Sequence, residues 1–542
     1  MVFVLAAVTS ACATGGDKAE GPLAAGSDLP APTTIPTSSS TSLQASTPTT
    51  ITTTIPTTTE VVAPVSTQPP QSAADEDLAP EVDPIGDAFQ ESFDREHPFL
   101  PLHRFCTPLE PPETAPADME SGITEQMLTI VQIRTLLDEL TLIGMTIPAG
   151  ETSQALEAFA DLVNRECGGI HGRRLDLRIV DAPSLGGGGV DLDTLQTAAC
   201  LEATEQMPAV IVLDLGGLGS AATRCVAVEH DVAVISTSYR SKPLMDEADG
   251  RLLTIPPTAE QVMRASVAAA HDSGLLEGAT IAVLVGDTAG QPELVDAALV
   301  TPLRWLGYQP VLHLLGCEGS ATCRIGSDTA VSRMIAAGTD VVFTALNLTT
   351  LPRVIGQMVS QSMPHPLIIQ SGFNGQGQDL AAQNVASYSG PDAGSYYDGS
   401  IIVAAEPTGA SRLPGYLVPT FDSMCNQEYA RAVGRPATAS FDPASPSFQA
   451  VVSACSVMRI VARAVYDAGP DPRRRDVLHA LEHLGPVDVP GMLPATSGHG
   501  KQALTDVIYD LEYRYPCQPV TADPAVEEAG CIIPLGGYRP LG

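Results

Sequence analysis

Positive charge is scarce in this chain. Of 542 residues, 28 are Lys or Arg against 63 Asp or Glu, the only lysines are Lys18, Lys242 and Lys501, and the formal net charge is -35. A face that tracks nucleic-acid phosphates needs clustered basic groups, and too few are present to build one. Long apolar runs are equally scarce. Beyond the short run Val2 to Val8, none approaches the length of a membrane span. No close Cys-x-x-Cys pair is present to suggest a structural zinc site. No G-x-S-x-G occurs either, and no Ser/His/Asp or paired-carboxylate arrangement can be assembled from the spacing.

What is there divides by composition. The length is too great for one ordinary core and allows about three domains, but not all of it reads as folded. Residues 1–23 hold Val2 to Val8 followed by Thr9-Ser10-Ala11-Cys12, small residues before a cysteine. That arrangement looks like a lipobox, in which cleavage leaves a lipid on Cys12; an ordinary signal peptide with an incidental Cys12 is the other reading. Thr9 stands where Leu or Val is usual, and no basic residue precedes the run. Residues 24–72 are dominated by Thr, Pro and Ser, as from Thr47 to Pro56. They cannot bury enough apolar surface to offset the entropy of ordering, which predicts a solvated stalk. Residues 73–121 are acidic and Pro-rich, a collar with Phe89, Phe93, Phe99 and Phe105 as its anchors.

Eleven cysteines make an odd count, and a lipid on Cys12 would leave ten to pair. Cys317 and Cys323 bracket a short loop, and Cys517 and Cys531 bracket a tail. Cys200 and Cys225 flank one strand on adjoining helices. These three pairs are expected as disulfides in an oxidising compartment, and Cys425 with Cys455 and Cys106 with Cys167 remain by elimination.

From Leu128 onward, short apolar runs alternate with helical segments. Leu128 to Ile133, Leu175 to Val180, Val210 to Leu213 and Val232 to Ile235 make one strand series. Ile281 to Val285, Val311 to Leu315, Val341 to Ala345 and Leu367 to Ile369 make a second, with Ser400 to Ala405 as a further strand. The expected fold is α/β, with residues 122–256 as lobe 1 and 257–405 as lobe 2. Residues 406–542 return the chain across both, through helices near Ser447 to Ala468 and Arg474 to Leu484 and a strand at Thr505 to Tyr513.

One segment is more specific. Leu156, Phe159, Val163 and Cys167 recur at helical spacing; Gly168, Gly169 and Gly172 permit reversals; Leu175, Leu177 and Ile179 then alternate as a strand. An Asn on the last helical turn followed by Gly-Gly-Ile-x-Gly-Arg, here Asn164 and Gly168 to Arg173, resembles the first crossover of type I periplasmic binding proteins of the branched-chain amino-acid binding family. The resemblance covers about Leu128 to Tyr513. It implies two lobes, each a parallel-sheet α/β sandwich, joined by a hinge that closes on a small ligand, and a membrane ABC permease as partner.

In open α/β sheets, ligands sit beyond the carboxyl ends of the strands. After Val210 to Asp214 comes Leu215-Gly-Gly-Leu-Gly-Ser-Ala-Ala222, which mimics a dinucleotide fingerprint. The next strand ends in Ser236-Thr237-Ser238, with no carboxylate for a ribose hydroxyl, so no nicotinamide cofactor is expected. Exposed N–H groups at a helix start do suit a carboxylate. Carried over from the resemblance, ligand contacts fall on Gly217, Gly219, Ser220, Ser238 and Arg240; serines that merely cap helices are the other reading. In the second lobe, the Tyr-Gly pair common in the family is replaced by Asp287 to Gln291. The acid that amino-acid binders place after the fourth strand is replaced by Gln370-Ser-Gly-Phe-Asn374. Asn347, Phe373 and Asn374 complete the expected contacts, suited to stacking and amide hydrogen bonds.

His479-Ala-Leu-Glu482-His483 matches H-x-x-E-H and puts both histidines on one helical face, with Glu512, Glu527 and Glu528 as the downstream glutamates that could add a ligand. A solvated amphipathic helix is preferred, leaving a zinc hydrolase as the remote alternative. The expected function is an extracytoplasmic solute-binding lipoprotein, not an enzyme and without cofactor. It would deliver a small polar, carboxylate- or amide-containing ligand to an ABC importer. An extracytoplasmic sensor is the alternative.

Overall fold

The computed structural model describes residues 121–143, 145, 151–186, 190–435, 442–443, 445–487, 489–490, 495–517 and 529–541. Cys12, the stalk, the collar, Cys106, Glu527 and Glu528 lie outside the described residues.

The first strand series forms a wholly parallel sheet. Its strands are β1 (Met127–Leu136), β2 (Arg174–Pro183), β3 (Ile211–Asp214), β4 (Ala233–Ser236) and a strand not expected from sequence, β5 (Leu252–Thr254), in the order β2-β1-β3-β4-β5. Three residues are too few for a periodic signal to register. Both faces are covered, so the strands are apolar on both sides: Leu128, Ile130, Ile211 and Leu213 join one core cluster, and Val131, Ile133, Val212 and Val234 another.

The second sheet is built from β6 (Ile281–Gly286), β7 (Val311–Leu315), β8 (Val341–Thr344), β9 (Leu367–Ser371) and β10 (Ile401–Ala404). A small hairpin follows, β11 (Gly485–Pro486) with β12 (Thr496–Ser497), and then β13 (Val507–Arg514) and β14 (Cys531–Pro534). The order is β14-β13-β10-β9-β8-β6-β7. Pairing is parallel from β7 to β10, whereas β13 and β14 add an antiparallel edge. The expected parallel-sheet α/β lobe is thus present, with an antiparallel edge of β13 and β14 added to it. The chain returns here from the first lobe by a direct crossing, with no helix to reverse its direction.

Two of the crossings between lobes run side by side. The Thr254 N–H donates to the Gln502 carbonyl at 2.8 Å, Leu504 N–H to Thr254 at 2.9 Å and Thr505 N–H to Ile255 at 3.0 Å. The helix Pro446–Asp467 is long and apolar enough to cross a membrane, against the sequence expectation that no such run exists, yet 83% of its apolar window is buried. It packs on the helix Thr152–Glu166, where Val451, Cys455, Met458 and Val465 share a core with Leu156, Phe159 and Val163.

The segment from Asn164 to Leu175 shows why its residue types matter. The Asn164 side chain bonds both backbone groups of Leu175, donating to its carbonyl at 2.9 Å and accepting from its N–H at 2.7 Å. A helix end and a strand start are thereby joined by one amide, which no aliphatic side chain can do. Gly169 has φ +84°, and a Cβ there would lie 2.1 Å from the Arg173 carbonyl oxygen.

Disulfides join Cys200 to Cys225, Cys317 to Cys323, Cys425 to Cys455 and Cys517 to Cys531. Cys167 is also disulfide-bonded.

Candidate functional site

Strand order locates the cleft. The crossings lie by β5, an edge of the first sheet, and near β10, an interior strand of the second, while β2 and β7 form the far edges. The loops at the carboxyl ends of β1, β3, β6 and β8 lie between. They are bounded by two contacts across the lobes.

The inner contact is Tyr239, from the loop after β4. Its ring is buried in the second lobe's core with Phe373, Val403 and Ala405. The hydroxyl donates to Glu406 Oε2 at 2.7 Å and accepts from the Ala405 N–H at 2.8 Å. Gly372 leaves room for it, since a Cβ there would lie 2.5 Å from the Tyr239 oxygen. Burial pushes the Glu406 carboxyl above its ordinary value, opposed in part by the Tyr239 hydrogen bond, which favours the charged form. Burial, then the Glu406 charge, push the Tyr239 phenol up as well. A carboxyl whose folded pKa is raised contributes stability that is complete below its unfolded value and lost as pH rises through the folded one. Glu406→Gln is therefore expected to raise the melting temperature at neutral pH and to raise it less in mildly acidic buffer. A difference that does not vary between pH 7 and the acidic buffer would refute the burial of this charge.

The outer contact is the disulfide-closed loop after β7. The Gly319 carbonyl accepts from the Leu192 N–H at 3.2 Å, at the start of the helix that follows β2. Asn347, one of the second-lobe residues expected to meet ligand, helps to hold this loop, together with Asp287 and Thr349. Asp287 Oδ1 accepts from the Cys317 N–H at 2.7 Å; Asn347 Nδ2 donates to the Ala321 carbonyl at 2.7 Å; Thr349 Oγ1 donates to the same carbonyl at 2.8 Å. The Asn347 Oδ1 accepts from Thr349 and Thr350 N–H groups. Phe373 is core, and Asn374 Nδ2 donates to the Ala345 carbonyl at 3.0 Å. Asn347, Phe373 and Asn374, expected from sequence to meet ligand, thus make these contacts inside the second lobe.

The first-lobe loop also turns inward. Asp214 is fully buried and accepts from the N–H groups of Gly217 at 3.1 Å and Leu218 at 2.9 Å and from Ser236 Oγ at 2.6 Å, while its other bond is to Arg240 Nη2. The pair's side chains are 0% and 6% exposed. The Gly219 N–H donates to Gln196 Oε1 at 2.7 Å. Gly217, Gly219 and Arg240 were expected to face an anion; their donors are instead engaged by the protein's own carboxylate and amide. What the loop presents outward is Ser220, exposed, and Ser238, half-buried, with the exposed Gly217 backbone beside the Ser238 hydroxyl.

Two groups in this region were not anticipated. Thr135 Oγ1, next to Gly216, and Gln376 Oε1 are buried polar atoms without a hydrogen-bond partner. The strand expected to end at Ile133 runs to Leu136, which brings Thr135 to the carboxyl end of the sheet where ligand contacts collect. A groove of about 660 Å³, lined by Met363, His365, Asp392, Tyr396 and Asp398, lies elsewhere, before β9 and β10 rather than after them.

Two lobes of this topology, linked by paired crossings with strand-end loops facing one another, define the fold of type I periplasmic solute-binding proteins. Solved structures carry the likeness. A fatty acid ABC transporter substrate-binding protein from Thermomonospora curvata matches with TM-score 0.54 and 14% identity, over 78% of this chain and 95% of that one. A leucine-, isoleucine-, valine-, threonine- and alanine-binding protein from Brucella ovis, in closed conformation, matches with TM-score 0.52 and 15% identity, over 77% and 96%. A solute-binding protein of an ABC transporter from Rhodopseudomonas palustris BisB5, in complex with 3,4-dihydroxybenzoic acid, gives 0.52 and 12%, over 77% and 97%. No family model matches the chain, and no curated protein matches it in sequence.

Proposed function

We propose that the chain is an extracytoplasmic solute-binding protein that captures a small polar molecule between its lobes and delivers it to an ABC importer. The observation that carries this reading is the pair of strand-end loop sets enclosed between the Tyr239 contact at the crossings and the Gly319 contact at the far edge. The described disulfides support an oxidising compartment, and the Thr9 to Cys12 sequence supports attachment to the membrane by a lipid on Cys12. Binding is favoured over catalysis, because the cleft loops bring together hydroxyls and backbone rather than a nucleophile with a base.

The ligand class follows from what remains free. With Arg240 neutralised by Asp214, the first-lobe loop offers hydroxyls and backbone groups, which suits a ligand recognised through amide or hydroxyl hydrogen bonds. Ser220 and Ser238 are the contacts on this reading, with Gly217 shaping the approach. Hinge closure would be favoured in proportion to the ligand's differential affinity for the closed state.

Small molecules released from purified, denatured protein and identified by mass spectrometry would name the ligand. A thermal-shift panel would rank candidates, since a ligand at a hundred times its dissociation constant stabilises by about 2.7 kcal/mol. Ser220→Ala and Ser238→Ala are each expected to weaken binding about three- to tenfold, one hydrogen bond apiece. Unchanged affinity in both would move the site away from this loop. A panel in which no amino acid, amide, carboxylate or sugar shifts the melting point would remove most of the support for solute capture.

A further inference from the structure

The H-x-x-E-H stretch lies on the helix Arg474–Glu482 and its end, in the first lobe, away from the cleft loops. A third histidine stands beside it. His479 and His483 stack with ring centroids 4.2 Å apart and planes 19° apart, and His483 and His499 stack at 6.2 Å and 20°. All three rings are exposed. Spacing in the sequence did not reveal His499, because it reaches the helix only through the hairpin of β11 and β12.

That hairpin fixes its place. Ser497 Oγ donates to the Leu481 carbonyl at 3.0 Å and accepts from the Leu484 N–H at 3.1 Å, binding the β12 strand to the helix end two residues before His499. Lys501 locks the other side of the turn: its ammonium donates to the Thr496 and Leu504 carbonyls, to Thr496 Oγ1 and to Asp506 Oδ2 at 2.6–3.1 Å. The third ring is therefore held near His483 by these anchors rather than by chance surface contact.

We propose that His479, His483 and His499 bind one divalent transition-metal ion of the imidazole-preferring class. Two imidazoles on a tetrahedral ion, with metal–nitrogen bonds of about 2.0–2.1 Å, put their ring centres roughly 5 Å apart. The two observed spacings lie on either side of that value, and because the rings are stacked rather than convergent here, binding requires all three exposed side chains to rotate toward a common point. The protonation pattern is set as well. His483 Nδ1 lies 2.8 Å from the His479 backbone carbonyl, and a carbonyl only accepts, so Nδ1 carries the hydrogen and Nε2 of the neutral ring is left with its lone pair outward. A backbone carbonyl that fixes the tautomer in this way is the usual outer partner of a metal-binding histidine. The carboxyl end of the helix, where carbonyl dipoles favour a cation, adds to the same effect. Imidazole nitrogen favours Zn²⁺, Ni²⁺ and Cu²⁺ over Mg²⁺ or Ca²⁺. The site is structural rather than hydrolytic: Glu512, one of the glutamates considered from sequence, is on β13 in the other lobe, paired with Arg514.

The experiment is isothermal titration of ZnCl2 into the full chain without a polyhistidine tag, after treatment with EDTA and dialysis. One ion per chain is expected. His483→Ala and His499→Ala should each weaken binding at least about tenfold, while His365→Ala, at the distant groove, should leave it unchanged. Melting curves in EDTA should superimpose for wild type and variants, so that lost binding is not lost folding. Absence of stoichiometric binding, or affinity that survives the His479→Ala/His483→Ala/His499→Ala triple substitution, overturns the site. Unchanged affinity in His499→Ala alone overturns the three-ligand assignment.

Discussion

An Asp214→Ala protein is expected to lose about 3–5 kcal/mol of stability, because the substitution leaves the Arg240 guanidinium buried without its countercharge. Asp214 is the point on which the first-lobe loop turns. It gathers two backbone N–H groups, one hydroxyl and one guanidinium from β3, β4 and the loops that follow them. Removing it both strands a charge and frees the loop that carries Ser220. Urea denaturation followed by circular dichroism gives the loss as a fall in midpoint at constant slope. The companion variant Asp214→Ala/Arg240→Met tells the two effects apart, since replacing both partners with apolar groups avoids the unpaired charge. If the double variant is no more stable than Asp214→Ala, the cost resides in the loop contacts and the ion pair contributes little.

Gly169→Ala carries the second large effect, about 3 kcal/mol or more, from left-handed strain of order 1–3 kcal/mol plus displacement of backbone. The Cβ would meet the Arg173 carbonyl at 2.1 Å and its carbon at 2.5 Å, and neither can move without parting the bridge between Ile170 and Arg173 that starts β2. Gly168 is the control: φ is +68° but nothing lies within 4 Å of an added Cβ, so Gly168→Ala should cost only about 1–2 kcal/mol. Equal losses at the two positions would refute the close approach.

The same segment shows how much could be read before any coordinates. Strands buried on both faces announce themselves as short apolar runs, and Asn164 to Leu175 carried enough local chemistry to point to the architecture. Strand ends were less legible. β1 outran its apolar run because Thr135 continues the ladder without an aliphatic side chain, and β5 was too short to show a period. The antiparallel edge was hidden because direction depends on where a distant crossing delivers the chain. The site suffered more, for one reason: residue type announces what a group can bind, not what already binds it. Arg240, Asn347 and Asn374 have the chemistry expected of ligand contacts, and each already bonds within the protein itself. Asp214 gave no sign that it would claim the guanidinium and the loop's N–H groups. His499 was silent because its partners sit sixteen and twenty residues upstream, across a hairpin.

The disulfide-closed loop at residues 317–323 also bears on the order of events in capture. Its supports, Asp287, Asn347, Thr349 and Thr350, are the strand-end residues with which the second lobe would otherwise grip a solute. The lobes are therefore unequal partners. On the proposed reading the first would receive the molecule on its serine-bearing loop, and the second would act as a braced lid whose tip rests on the Leu192 helix. Selectivity then belongs to the first encounter, and residence time to how firmly the lid is held.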